Sequence, residues 1–157
     1  MSRIYTVEFE NVAVTASQDF FSIAAVADKP IEIVGLVLAQ FSDIGDAAEE
    51  ILRYRIIRGH DTVGSGGTAP TPRPCRVTNA AAGFTARVND TTIASAGTAV
   101  NLFSDAFNIR TGVTHWFPPG CEPSTAATAT NEFMVVRLLS TPTDSLSMSG
   151  TLFVREM

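Results

Sequence analysis

The end of the chain carries the clearest structural signal, in the stretch FMVVRLLSTPTDSLSMSGTLFVRE at 133–156. Apolar residues recur at every second position, first in Met134, Val136 and Leu138 and then from Leu146 to Val154. A period of two is that of β-strands with one buried face. The segment STPTD at 140–144 has turn composition. The stretch therefore predicts two strands that pair as a β-hairpin.

The same period recurs through most of the chain, as in RIYTVEFENVAVT at 3–15, IEIVGLVLAQF at 31–41 and ILRYRIIRG at 51–59. The stretches AGFTARVNDTTI at 82–93 and TAVNLFSDAFNIRTGVTHWF at 98–117 predict three or four shorter strands. SDIGDAAEE at 42–50 predicts a loop or one helical turn, and CEPSTAATATN at 121–131 a polar loop. No apolar pattern of helical period is sustained. We predict an all-β antiparallel β-sandwich, jelly-roll-like, with long loops and a single domain over 1–157.

Composition narrows the classes of partner. The net charge of −5 argues against nucleic acid as a partner, since phosphate contacts need clustered basic residues. The longest apolar run, IVGLVLA at 33–39, is too short to cross a membrane, so we expect no membrane partner. Lys29 is the only lysine beside ten arginines, which is typical either of extensive interfaces or of codon bias.

The segment GSGGTAPTPRPCR at 64–76 suggests a phosphate-binding loop at first sight. It lacks the lysine and the Ser or Thr that such a loop needs, and its prolines prevent the helix that would follow. We predict instead an extended Gly/Pro-rich loop over about 59–78, which is either a surface loop or an arm on a neighbouring subunit. As an arm it would present Pro70, Pro72, Arg73 and Pro74 to a partner.

No cofactor, metal or catalytic motif emerges from the side chains. Two cysteines and two histidines lie too far apart in sequence for the usual zinc spacings: His60, Cys75, His115 and Cys121. A serine-hydrolase elbow is also absent, so we expect no enzyme, no metal and no cofactor. Trp116, the sole tryptophan, belongs either to core or rim packing or to an interface hot spot.

Two stretches, RIIRGHDTVGSGGTAPTPRP at 55–74 and DSLSMSGTLFVREM at 144–157, resemble those of small tailed-bacteriophage virion proteins. The resemblance implies a non-enzymatic structural protein, made in the bacterial cytoplasm and carried on the virion. A β-sandwich of this size fits a capsid decoration (cement) protein, a homo-oligomer, with a trimer favoured, that binds the major capsid protein or another virion protein. The alternative is a tail or head-fibre module that binds a receptor glycan, with Trp116, Tyr54 and nearby acidic residues as its platform. A jelly-roll glycoside hydrolase is a third hypothesis.

Overall fold

Ten β-strands form two antiparallel five-stranded sheets in the computed structural model, which describes residues 3–42, 49–126 and 133–157. The strands are β1 (Arg3–Val14), β2 (Asp19–Ala24), β3 (Ile31–Gln40), β4 (Ile51–His60), β5 (Arg73–Pro74), β6 (Thr85–Asp90), β7 (Val100–Asn108), β8 (Val113–Trp116), β9 (Phe133–Leu138) and β10 (Leu146–Glu156). The described residues contain no helix, which confirms the all-β prediction. The expectations for 43–48 and 127–131 fall outside the described residues.

Sheet A has the strand order β5-β1-β10-β3-β8, and sheet B has the order β6-β2-β9-β4-β7. If the edge strands β5 and β6 are set aside, four strands remain in each sheet. Strands that follow one another in the chain then lie in opposite sheets, except for β4 and β7, which are neighbours in sheet B. This is the arrangement of an eight-stranded jelly roll. The two additional strands belong to residues 61–99, which form an insertion between β4 and β7.

Both sheets bury one face against the other, as their sequence alternation requires. In β10 every second residue is buried, from Leu146 to Glu156. In β4 the inward face carries Leu52, Tyr54 and Ile56, as predicted, while Arg53 is exposed on the other face. Aromatic rings pack against each other in the core between the sheets, as Phe9 does against Phe20 with ring centroids 5.9 Å apart.

The predicted hairpin at 133–156 is wrong, although both of its strands form. β9 lies at the centre of sheet B between β2 and β4, whereas β10 lies at the centre of sheet A between β1 and β3. The connection 139–145 therefore crosses from one sheet to the other. Seven residues are long enough to span the ~10 Å between packed sheets. Because β9 and β10 lie in different sheets, each of them is hydrogen-bonded to a neighbouring strand on both sides.

The insertion covers part of the outer face of sheet B. Val135 and Ile57 point away from the core between the sheets, yet they are almost completely buried. Ala94 of the insertion donates its N–H to Asp19 and accepts a hydrogen bond from Arg137, both on this face. Sheet B is thus covered on its outer side around β2 and β9, whereas Arg53 of β4 stays exposed. The insertion leaves the outer face of sheet A open.

Candidate functional site

The predicted interface residues divide between buried and exposed positions. Pro72 is buried and Pro70 and Pro74 are half-buried, so the prolines mainly pack against their own chain. Arg73 is exposed, and no carboxylate of the described residues lies within salt-bridge distance of it. Trp116 is 54% exposed. The surface that these residues offer to a partner is therefore formed by the arginine and the tryptophan.

Backbone hydrogen bonds hold the Gly/Pro-rich segment on this chain. Ser65 pairs with Thr92 in both directions at 2.9 Å, and Thr68 pairs in the same way with Val88. Farther along, Arg73–Pro74 forms β5 against β1, and the N–H of Cys75 donates to Ile4 at 2.9 Å. The segment is extended, as its prolines predicted, and it is hydrogen-bonded to its own chain at both ends.

Trp116 lies flat on the outer face of sheet A because the neighbouring strand has a glycine opposite it. Gly35 pairs with Trp116, and a Cβ at this position would come within 2.5 Å of the indole ring. On its other side the ring contacts Phe153, with centroids 4.6 Å apart at 42°. The two aromatic side chains form a fixed platform that remains half open to solvent.

Short, uncharged side chains extend this platform across the sheet. Four strands contribute outward residues whose inward neighbours are in the core. We call these residues the open face: Thr6, Val37, Thr114, Trp116, Ser149, Thr151 and Phe153. The acid Glu8 lies on the same face, opposite Thr151, while Trp116 stands on the edge strand β8. A flat area with an aromatic pair and mostly uncharged side chains is typical of the core of a protein–protein interface.

A groove of about 410 Å³ runs along one side of the platform, between sheet A and the turn after β5. Its floor is apolar, formed by Ile4, Val34, Phe153 and Trp116, and its polar lining includes Arg76, Asn79 and Arg155. The volume is within the range of small-molecule and side-chain binding sites.

The two arginines of the groove differ in their charge balance. Arg155 donates to Glu32 at 2.7 Å and to Glu122 at 3.0 Å, and these hydrogen bonds raise the pKa of its guanidinium. The pKa of Glu122 is lowered, first by a hydrogen bond from its own backbone N–H and then by Arg155 and the N–H of Gly120. Arg76 is exposed and has no carboxylate partner among the described residues.

Tyr54 does not belong to this platform, so its predicted place in a sugar site is wrong. The ring is fully buried between the sheets, because Tyr54 occupies the same inward face of β4 as Leu52 and Ile56. Its hydroxyl donates to Asp105 at 3.4 Å. Burial, followed by the nearby Asp105 carboxylate, raises the pKa of Tyr54 well above its ordinary value of 10.0.

The other chemical features are scattered. No group of three or more potential metal ligands occurs among the described residues, and Cys75 and Cys121 are free and exposed. His115 packs against Phe103 and Phe117, with ring centroids 4.6 and 4.5 Å away. Within the same ranges, no helix has the length and hydropathy of a membrane span.

Two residues of the site were not singled out in the sequence. Phe153 occupies an outward position in LSMSGTLFVRE, between the inward Leu152 and Val154, so the alternation could have identified an aromatic side chain on the solvent face. Arg76 carries no comparable signal, because its place beside the groove depends on the path of the insertion.

Comparison with known proteins finds no match, whether to a family model, a curated protein or a solved structure. The resemblance to phage virion proteins therefore stays a prediction, and the features that bear on function are the open face and its groove.

Proposed function

We propose that this protein is a non-enzymatic structural protein of a phage virion, which binds the capsid exterior through the open face and stabilises the shell. The observation that carries the proposal is Trp116, fixed over Gly35 and against Phe153 but 54% exposed. An exposed aromatic side chain that is held in place by its neighbours, here on the edge strand β8 of sheet A, is typical of a binding hot spot. Such a residue loses little conformational entropy when a partner covers it.

The difference between the outer faces of the two sheets supports binding through the open face of sheet A. The insertion already covers the outer side of sheet B around β2 and β9, so the outer face of sheet A is the larger uncovered surface available to a partner. Arg73, which lies beside the open face in register with Thr6, offers a guanidinium to a carboxylate of the capsid protein. The expected homo-oligomer, a trimer, and the location on the virion are parts of the same proposal.

The experiment is reconstitution on particles that lack the protein. We expect the purified chain to bind these particles saturably, and mass spectrometry of native particles to detect it in many copies. Trp116→Ala should weaken binding by about thirtyfold or more, since truncation of a hot-spot residue costs ~2 kcal/mol or more. The matched control is Ile93→Ala, which truncates an exposed apolar side chain of the insertion and should leave binding unchanged.

Absence of the protein from native particles, or equal binding by Trp116→Ala and wild type, would contradict the proposal. A tail or head-fibre module that binds a glycan is the second candidate. The groove beside Trp116 favours it, because a sugar ring could stack on the indole while polar groups line the side. A glycan array on which wild type binds and Trp116→Ala does not, combined with no capsid binding, would select this candidate.

A further inference from the structure

The groove beside the open face combines an apolar floor with an arginine that has no counter-charge. Arg155 is paired with two carboxylates, which leaves that group with one excess negative charge, whereas Arg76 has no carboxylate partner among the described residues. The chain as a whole has a net charge of −5, so general attraction of anions does not explain a free guanidinium here. A bound carboxylate would give Arg76 the partner that Arg155 already has.

The lining also restricts the neutral part of the ligand. Ile4, Val34 and the two aromatic rings present carbon atoms, and the side-chain hydrogen-bonding groups that remain are the donors of Arg76 and the amide of Asn79, which supplies one acceptor oxygen. Sugar hydroxyl groups need acceptors as well as donors, and the nearest acidic side chains are occupied by Arg155. An apolar side chain next to a carboxylate matches the apolar floor and the unpaired guanidinium of the groove better than a neutral sugar does.

We propose that the groove binds an acidic–apolar segment of the partner protein, with an apolar side chain on Trp116 and Phe153 and an adjacent carboxylate on Arg76. This inference rests on the proposed function, because it specifies the chemistry of the partner at the same surface. The carboxylate supplies direction through a charge-assisted hydrogen bond, and the apolar side chain supplies burial.

The sole tryptophan makes the groove directly observable. The emission of Trp116 is measured while the intact protein is titrated with the capped peptide Ac-Gly-Leu-Asp-Leu-Gly-NH2. We expect a saturable change, which weakens as salt is added because an exposed arginine is screened. The peptide with Asn in place of Asp should bind about tenfold more weakly or worse, since a charged hydrogen bond is lost.

Charge reversal locates the effect. Arg76→Glu should abolish the response to the Asp peptide, whereas Arg53→Glu, an exposed arginine on sheet B, should preserve it. Equal binding of the Asp and Asn peptides would overturn the assignment. So would the absence of any change at about 10 mM peptide, where a Kd of ~1 mM would already saturate the site.

A third arm tests the acidic sugar glucuronate and its neutral counterpart glucose. A response to glucuronate without a response to the peptide would replace the protein segment by an acidic glycan. Particle binding separates this inference from the proposed function. If Arg76→Glu binds particles like wild type while Trp116→Ala does not, the open face is the interface and the acidic segment is wrong.

Discussion

Removal of the Asp19 carboxylate is the sharpest test of how the insertion is attached to sheet B. The side chain is completely buried and forms an ion pair with Arg137, with Oδ1 and Nε 2.6 Å apart. Its Oδ2 accepts the N–H of Ala94 at 2.6 Å, and Arg137 donates to the carbonyl of Ala94 at 2.8 Å. One carboxylate thus joins β2, β9 and the insertion.

The expected magnitude follows from what Asp19→Ala leaves behind. Arg137, with its side chain only 13% exposed, would lose its counter-charge, and the N–H of Ala94 would lose its acceptor. Loss of one partner of a buried ion pair costs about 3–5 kcal/mol. For a domain of this size that lowers the Tm by roughly 6–20 °C. Asp19→Asn keeps an acceptor for one donor, so a smaller loss of about 1.5–3 kcal/mol is expected.

Urea unfolding of four proteins measures this coupling: wild type, Asp19→Ala, Arg137→Ala and the double variant. We expect the double variant to be clearly more stable than the sum of the single losses predicts, because it has no unpaired buried charge. Hydrogen exchange at Ala94 should accelerate in Asp19→Ala. A loss below about 1 kcal/mol, or additive single effects, would refute the attachment through this ion pair.

Three further substitutions test the site and the core. Gly35→Ala places a Cβ 2.5 Å from the Trp116 ring, so we expect shifted tryptophan emission and a loss of about 1–3 kcal/mol in urea unfolding. Tyr54→Phe removes the hydrogen bond to Asp105 and should cost about 0.5–1.5 kcal/mol at neutral pH. Because the pKa of Tyr54 is raised in the folded state, wild type should lose stability as the pH rises above 10.0, and the Phe variant should lose less over an alkaline series of unfolding curves. The lowered pKa of Glu122 stabilises the fold above pH 4.5, and this contribution is lost as the pH falls through the lower folded value, so Glu122→Gln should flatten the acid dependence of the urea midpoint.

The strands that the sequence predicts are those with one buried face. β1, β3, β4 and β10 alternate because the outer side of each strand meets solvent or small residues. β2, with the sequence DFFSIA, was not predicted. Five of its six residues are buried, because the insertion covers its outer side, and no alternation remains to be read.

The sequence indicates where strands occur more readily than it indicates which strands pair with each other. The 133–156 stretch identifies two strands, but the alternation contains no information about which neighbours they bond to. The run Met134, Val135, Val136 is apolar without interruption, which is the pattern of a strand buried on both faces. That pattern already favoured a central strand of a covered sheet over one arm of a simple hairpin.

The site was predicted only where residue type alone is informative. Trp116 stands out as the single tryptophan, and Arg73 as an arginine in an extended segment. Gly35 gains its role only from its position opposite Trp116 in the β3–β8 pair, and Arg76 only from the path of the insertion past β1. These depend on contacts between residues that are far apart in sequence.

Hydroxyl-radical footprinting of the protein, free and bound to particles, shows whether the open face is the surface that contacts the capsid. If the open face is the interface, oxidation of Trp116 and Phe153 should slow severalfold on the particle, while Ile93 on the opposite side of the jelly roll keeps its rate. Unchanged oxidation of Trp116 in particle-bound protein would contradict the account.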